Sequence, residues 1–109
     1  ILICFMSILG TYIHVSATEA RYVEGDYTYT IINDDEAKIV GYNGDNSSTC
    51  ELIIPANLGG YTVTAIDSFV FKDLNLTNID LPDYIISIGE QAFYGNDLVE
   101  LKLPDVLYQ

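Results

Sequence analysis

The feature that most constrains this chain is an apolar pattern that occurs twice, with a period of about 22 residues. The first copy consists of Ile66, Phe71, Leu76, Ile79, Leu81 and Pro82, and the second of Ile88, Phe93, Leu98, Leu101, Leu103 and Pro104. Six matches at one offset are hard to obtain by chance. This spacing is too short for a strand–helix–strand unit with a full crossover helix. It therefore predicts a solenoid, in which short repeats stack on one another.

The end of each repeat alternates apolar and polar residues, which predicts a strand. Three segments have this pattern, each followed by a proline that ends the ladder: residues 51–54, 76–81 and 98–103. Alternation turns every second side chain outward. Stacked side by side, the three strands form a parallel sheet whose outward side chains make one surface, here called the open face. The open face consists of Glu51, Ile53, Asn78, Asp80, Glu100 and Lys102.

The rest of each repeat predicts a wall packed behind this sheet. Phe71 and Phe93 are expected to fill the space between sheet and wall. Residues 67–74 and 89–96, which surround them, are predicted to form a short turn of helix. The β-branched residues leading to Ile66 and Ile88 favour extended backbone.

The residues before the repeats predict a β-hairpin that caps the solenoid. Residues 27–32 and 37–42 are rich in aromatic and β-branched residues, which favours strands. Residues 33–36 between them have turn chemistry. The interval from Pro55 to Pro82 is longer than the interval from Pro82 to Pro104, so the first repeat is irregular. We assign residues 21–49 to the hairpin cap and its loop, and residues 50–109 to the repeats.

The strand signature Leu-x-x-(Ile/Leu)-x-Leu is that of leucine-rich repeats. With Ile88-Gly89-Glu90-Gln91-Ala92-Phe93 before it, the pattern resembles the BspA-like leucine-rich repeats over about residues 27–109. Asp67 and Val70 depart from the Gly and Ala of that pattern, and Asn96-Asp97 stand where many copies carry Cys. The expected fold is an α/β leucine-rich-repeat solenoid, mostly β, with an N-terminal hairpin cap, a parallel sheet and short helical turns. It should contain two to three repeats of about 22 residues each.

The first residues predict a secretory signal peptide, residues 1–17. An apolar run over residues 1–13 is too short to span a bilayer, and Val15-Ser16-Ala17 matches a cleavage site. Cleavage after Ala17 is the first choice and after Ala20 the second. The alternative is a buried strand or helix of the domain. The mature domain would be residues 18–109, which we expect to be a piece of a longer chain because it stops inside a further copy of the repeat.

Charge and residue inventory exclude several classes of function. Sixteen acidic residues against four basic ones give a net charge of −12, which argues against nucleic-acid and anionic-membrane partners. The single histidine, His14, would leave with the signal peptide, and Cys50 would then be the one remaining cysteine. No catalytic residue, cofactor or metal site is predicted. After signal removal we expect no stable membrane insertion.

The resemblance implies a secreted or surface-anchored protein of bacteria or some protozoa, often linked to adhesion to host or matrix proteins. We therefore expect a non-catalytic binding module that contacts a host or matrix protein through the open face. That face lacks the aromatic ladder of a glycan-stacking surface, which favours a protein partner. Two alternatives stay open. The repeats could be a structural spacer, or an enzyme domain could lie beyond Gln109.

Overall fold

A computed structural model of the chain describes residues 19–103, apart from the side chains of Glu100 and Lys102. This range contains nine β-strands and no helix. The strands are β1 (Tyr22–Glu24), β2 (Tyr27–Ile31), β3 (Glu36–Tyr42), β4 (Glu51–Ile53), β5 (Asn57–Leu58), β6 (Tyr61–Ile66), β7 (Asn78–Asp80), β8 (Ser87–Ile88) and β9 (Glu100–Lys102). The predicted signal peptide, residues 1–17, lies outside the described residues.

The predicted hairpin is formed by β2 and β3, which pair antiparallel from Tyr27 opposite Tyr42 to Ile31 opposite Ala37. In the turn between them, the Oδ1 atom of Asn33 accepts hydrogen bonds from the backbone N–H groups of Asp35 and Glu36, each 3.0 Å long. The asparagine side chain thus fixes the turn locally. β1, which the sequence did not predict, pairs with the outer edge of β2.

A three-stranded parallel sheet carries the ends of the repeats, in the order β4-β7-β9. Leu52 lies opposite Ile79, and Ile79 lies opposite Leu101. These pairs have the offsets read from the sequence, the longer one between β4 and β7 and the regular one between β7 and β9. Leu52 and Ile79 are buried, so the predicted inward side of β4 and β7 is confirmed.

The hairpin and the repeats share the second sheet, which has six strands. Its strand β6 pairs in parallel with β3 of the hairpin and also with β8 of the next repeat. Ala65 lies opposite Ser87 and Ile66 opposite Ile88, so this pairing also joins positions one repeat period apart. The hairpin is therefore hydrogen-bonded into the same sheet as the repeats.

The predicted helical turns are not present as helices, which corrects the α component of the expected fold. Residues 67–74 and 89–96 form hydrogen-bonded turns instead. The N–H group of Phe71 donates to the carbonyl oxygen of Ala92 at 2.8 Å. The N–H group of Asp73 donates to the carbonyl oxygen of Tyr94, also at 2.8 Å. Phe69, like its repeat equivalent Gln91, has a positive φ (62° and 57°) that a right-handed helix does not allow.

Gly89 occurs where two neighbouring turns approach closely. A Cβ atom at this position would lie 2.4 Å from the backbone nitrogen of Ser68 and 2.6 Å from the carbonyl carbon of Asp67. Backbone atoms cannot move aside as a flexible side chain does. Glycine is therefore required at position 89 for the two turns to stack, although the equivalent position one repeat earlier is Asp67.

Aromatic rings join the hairpin to the repeats in the interior. The Phe71 ring is fully buried, with its centroid 5.3 Å from that of Tyr42 and 6.4 Å from that of Tyr27. On its other side Phe71 stacks on Phe93 at 5.6 Å, with an angle of 8° between the rings. Phe93, expected to be buried, is only half-buried. The core is therefore continuous from the hairpin through both copies of the repeat.

The Asn96 side chain links the turns of the two neighbouring repeats through four hydrogen bonds. Its Oδ1 atom accepts the backbone N–H groups of Leu74 at 3.0 Å and Leu76 at 2.9 Å. Its Nδ2 atom donates to the carbonyl oxygens of Phe71 at 2.7 Å and Phe93 at 2.9 Å. One side chain thus satisfies backbone groups that the irregular turns leave without partners.

Candidate binding face

The open face is built by the outward positions of β4 and β7. Glu51, Ile53, Asn78 and Asp80 are all exposed, and the side chain between each pair is buried. Glu51 lies opposite Asn78, and Ile53 lies opposite Asp80. The strands of a sheet lie roughly 4.8 Å apart, so the four side chains form one continuous patch. Ile53, with 73% of its surface exposed, is its apolar member.

The backbone of β9 extends this patch by one strand. Glu100 lies opposite Asn78, and Lys102 lies opposite Asp80. The predicted outward direction of the Glu100 and Lys102 side chains falls outside the described part of the structure. The register alone places both residues at the edge of the open face.

The described part of the open face combines charged, polar and apolar side chains. It offers two carboxylates, one amide and one aliphatic side chain. Among the side chains that the structure describes, which do not include that of Lys102, the one ion pair joins Lys72 to Asp73 at 3.9 Å and lies away from this face. No group of three metal-binding side chains occurs within residues 19–103. The described side chains of the face therefore place two carboxylates around an apolar centre.

Side chains of the hairpin and its loop partly cover the outer edge of β4. They contact the backbone carbonyl groups of Glu51 and Ile53. The Nδ2 atom of Asn46 donates to the carbonyl oxygen of Glu51 at 2.7 Å. The Tyr42 hydroxyl donates to Asn46 Oδ1 at 2.8 Å and holds that amide in place. The Tyr27 hydroxyl makes a longer contact, 3.4 Å, with the carbonyl oxygen of Ile53. An edge that would otherwise be open to another strand is thus partly satisfied within the chain.

Burial changes the acidity of the two tyrosines at this edge. Burial, followed by repulsion from Tyr42 and Asp26, raises the pKa of Tyr27 above its ordinary value of 10.0. Burial is also the largest cause that raises the pKa of Tyr42, although the hydrogen bond to Asn46 acts in the opposite direction. Both phenols are therefore neutral donors at neutral pH.

Backbone hydrogen bonds between the residues just before β4, β7 and β9 help to hold these three strands in register. The N–H group of Thr77 donates to the carbonyl oxygen of Cys50 at 2.8 Å, and that of Val99 donates to Thr77 at 2.8 Å. The Thr77 hydroxyl adds a second bond to the same Cys50 oxygen at 3.2 Å. Cys50 itself is half-buried and has a positive φ of 59°. The hydrogen bonds at this position thus involve the backbone of Cys50 and not its thiol.

Sequence reasoning missed the structural roles of Asn46, which supports the edge of β4, and of Asn96, which joins the turns of neighbouring repeats. Asn46 lies in a polar loop, and no period marks it, because its partner Glu51 belongs to the next element. Asn96 occupies the position held by Leu74 in the previous repeat. A polar residue at a position that is apolar one period earlier was the available indication.

Comparison with known proteins decides the family. The family described as "BspA type Leucine rich repeat region (6 copies)" matches residues 45–109, more than half of the chain. The chain belongs to the BspA-type leucine-rich repeat family. No curated protein matches it. Within its described residues, no helix has the length and apolar character needed to cross a membrane.

Three crystal structures share the fold of this leucine-rich repeat protein. A leucine-rich cell surface protein of Faecalibacterium prausnitzii A2-165 is 29% identical, with a TM-score of 0.68 over 84% of the chain. The T. pallidum leucine-rich repeat protein is 27% identical, with a TM-score of 0.66 over 75%. A leucine-rich repeat protein of Bacteroides capillosus ATCC 29799 is 35% identical, with a TM-score of 0.64 over 79%. The match spans 25%, 38% and 67% of these three proteins, respectively.

Proposed function

We propose that this leucine-rich repeat chain is a non-catalytic module that binds a host or matrix protein through its open face. The observation that carries the proposal is the patch formed by Glu51, Ile53, Asn78 and Asp80, all exposed on paired strands. Repeat solenoids are suited to such contacts because their stacked strands offer extended surfaces. In this proposal Glu100 and Lys102 complete the contact.

The charge of the face indicates the chemistry of the partner. Glu51 and Asp80 flank Ile53, Lys102 lies opposite Asp80 in the strand register, and the whole chain carries a net charge of −12. A partner with a basic patch around an apolar spot complements this arrangement. Complementary charge raises the association rate, and salt screens it over about 10 Å at 0.1 M ionic strength. Binding should therefore weaken as salt rises.

The proposed location is the cell surface or the outside of the cell. Supporting it are the predicted signal peptide, residues 1–17, and the likeness to a protein described as a leucine-rich cell surface protein. N-terminal sequencing of the protein recovered from the medium or cell surface tests the processing step. A mature chain that begins after Ala17 or Ala20 supports export, whereas one that retains residues 1–13 contradicts it.

The binding proposal is tested with charge reversals in the open face. Asp80→Lys and Glu51→Lys are measured by surface plasmon resonance against immobilised extracellular-matrix proteins, at low and high salt. Asp97→Lys, a reversal in a loop away from the face, is the matched control. We expect the two open-face variants to slow association and to flatten its salt dependence, while the control retains binding.

Two results would overturn this assignment. Unchanged affinity in Asp80→Lys and Glu51→Lys, together with loss of binding on substitution in β2 or β3, would place the contact on the hairpin. Binding to none of the matrix proteins by the wild-type chain would favour the alternative role, in which the repeats are a spacer.

A further inference from the structure

A second surface of the protein, separate from the open face, is a groove of about 410 Å³ on the six-stranded sheet. It is lined by Asp35, Glu36, Thr62, Thr64, Tyr84 and Ile86. None of these residues belongs to β4, β7 or β9, which carry the open face. We call this feature the lateral groove.

The repeat period builds the apolar side of the lateral groove. Tyr84 and Ile86 occupy the positions of Thr62 and Thr64 one repeat later, and the Ile86 N–H group donates to the Thr64 carbonyl oxygen at 2.8 Å. Ile85, between the two, is buried in the core. Tyr84 and Ile86 are therefore turned outward, with 62% and 59% of their surfaces exposed.

The hairpin builds the acidic side of the groove. Glu36 lies opposite Thr62 in the β3–β6 register, and the Thr62 N–H group donates to the carbonyl oxygen of Asp35 at 2.8 Å. The hydroxyl of Thr64, which is almost completely buried, donates to Glu36 Oε1 at 2.9 Å and orients that carboxylate. Lys38, two residues further along β3, forms no ion pair with Asp35 or Glu36 in the described structure.

We propose that the lateral groove binds an arginine-containing segment of a partner protein. A guanidinium group can bond to the carboxylates of Asp35 and Glu36 and stack on the exposed ring of Tyr84. The aliphatic part of the arginine side chain then lies against Ile86. Arginine suits this combination better than lysine, because its planar cation can stack and donate several hydrogen bonds together. The inference goes beyond the open-face proposal, since it concerns different residues and a different recognition chemistry.

The test uses fluorescein-labelled penta-arginine and penta-lysine peptides, with binding to the full chain measured by fluorescence anisotropy. Asp35→Asn, Glu36→Gln and Tyr84→Ser change the groove. Glu90→Gln removes the same charge from an exposed turn outside both the groove and the open face, and Tyr94→Ser removes a similarly exposed ring from outside the groove. We expect each groove variant to weaken penta-arginine binding about five- to tenfold, each control to change it by less than about twofold, and penta-lysine to bind more weakly.

Three outcomes overturn the proposal. Absence of measurable penta-arginine binding to the wild-type chain is the first. Equal losses in Asp35→Asn, Glu36→Gln and Glu90→Gln would mean that the acidic chain attracts the peptide without a defined site. An unchanged affinity in Tyr84→Ser would remove the stacking contact. The open-face proposal is independent of these results, because it depends on Glu51 and Asp80 and is assayed against matrix proteins.

Discussion

The two copies of the repeated apolar pattern carry equivalent residues but are buried to different degrees. In the first copy, every apolar member is buried: Ile66, Phe71, Leu76, Ile79 and Leu81. In the second copy, every counterpart is only partly buried: Ile88, Phe93, Leu98, Leu101 and Leu103. The first copy lies between the hairpin and the second copy. Among the described residues, the first copy is covered on both sides and the second on one side only, so position in the stack, and not residue type, accounts for this difference in burial.

The largest expected effect is that of truncating the ring in the first copy. Phe71→Ala should lower the free energy of unfolding by about 3–5 kcal/mol, because it opens a cavity among Tyr27, Tyr42 and Phe93. Phe93→Ala should cost about half as much, since the Phe93 ring is already half exposed. Asp80→Ala, on the exposed face, should change stability by less than about 0.5 kcal/mol.

Denaturant unfolding of the three variants, followed by circular dichroism, measures this order. Equal losses for Phe71→Ala and Phe93→Ala would break the comparison, because they would mean that both copies have the same surroundings.

A smaller effect should follow from removing the Asn96 side chain, whose hydrogen bonds link the two copies. Asn96→Ala removes two acceptor and two donor contacts and leaves backbone groups of Leu74, Leu76 and Phe71 without a partner. Each unsatisfied buried group costs about 1–3 kcal/mol, and the half-buried position allows water to replace part of the loss, so we expect about 2–3 kcal/mol. Hydrogen exchange should localise the change to residues 71–76. Asn78→Ala, an exposed asparagine on the open face, is the matched control and should have no such effect.

The smallest effect concerns the hairpin that covers the first copy, and it depends on pH. In the folded chain the pKa values of Tyr27 and Tyr42 are raised, by burial first, above the ordinary value of 10.0 that we take for the unfolded chain. The stabilisation is therefore fully present below about pH 10 and is lost as the pH rises above it, because the unfolded chain releases the phenolic protons first. Tyr27→Phe should cost about 1 kcal/mol or less at neutral pH, since its hydrogen bond is long.

Thermal melts between pH 7 and pH 11 check this prediction. The wild-type melting temperature should be level to about pH 10 and then fall, and Tyr27→Phe should reduce that fall. An identical alkaline fall in the variant would show that Tyr27 is not responsible for it.

The period and the alternation of side chains were sufficient to predict the repeat strands, their register and the exposed residues of β4 and β7. Pairing Asn78 with Glu51 on one side and with Glu100 on the other follows directly from the spacing. The turns could not be predicted in the same way. Their backbone N–H groups bond to the next repeat, and Phe69 and Gln91 take a positive φ that neither residue type indicates.

The features that depend on distant parts of the chain also escaped prediction. The Asn46 amide acts on β4 because the hairpin folds over that edge, which no local pattern encodes. The lateral groove combines the turn at Asp35 with Tyr84, which lies much later in the chain. Its apolar side, however, follows the same period as the open face, because Tyr84 and Ile86 occupy the positions of Thr62 and Thr64 one repeat later.

The parallel pairing of β6 has a consequence for how such a protein changes length during evolution. The strands β3, β6 and β8 all run in the same direction. Each repeat therefore pairs in parallel with the strand before it and offers an equivalent parallel edge to the strand after it. An in-frame duplication of one whole repeat would therefore join without altering the pairing of its neighbours. A duplicated hairpin would not, since β2 presents an antiparallel strand to β3. Gains and losses of whole repeats should accordingly be tolerated after Tyr61 and selected against before it.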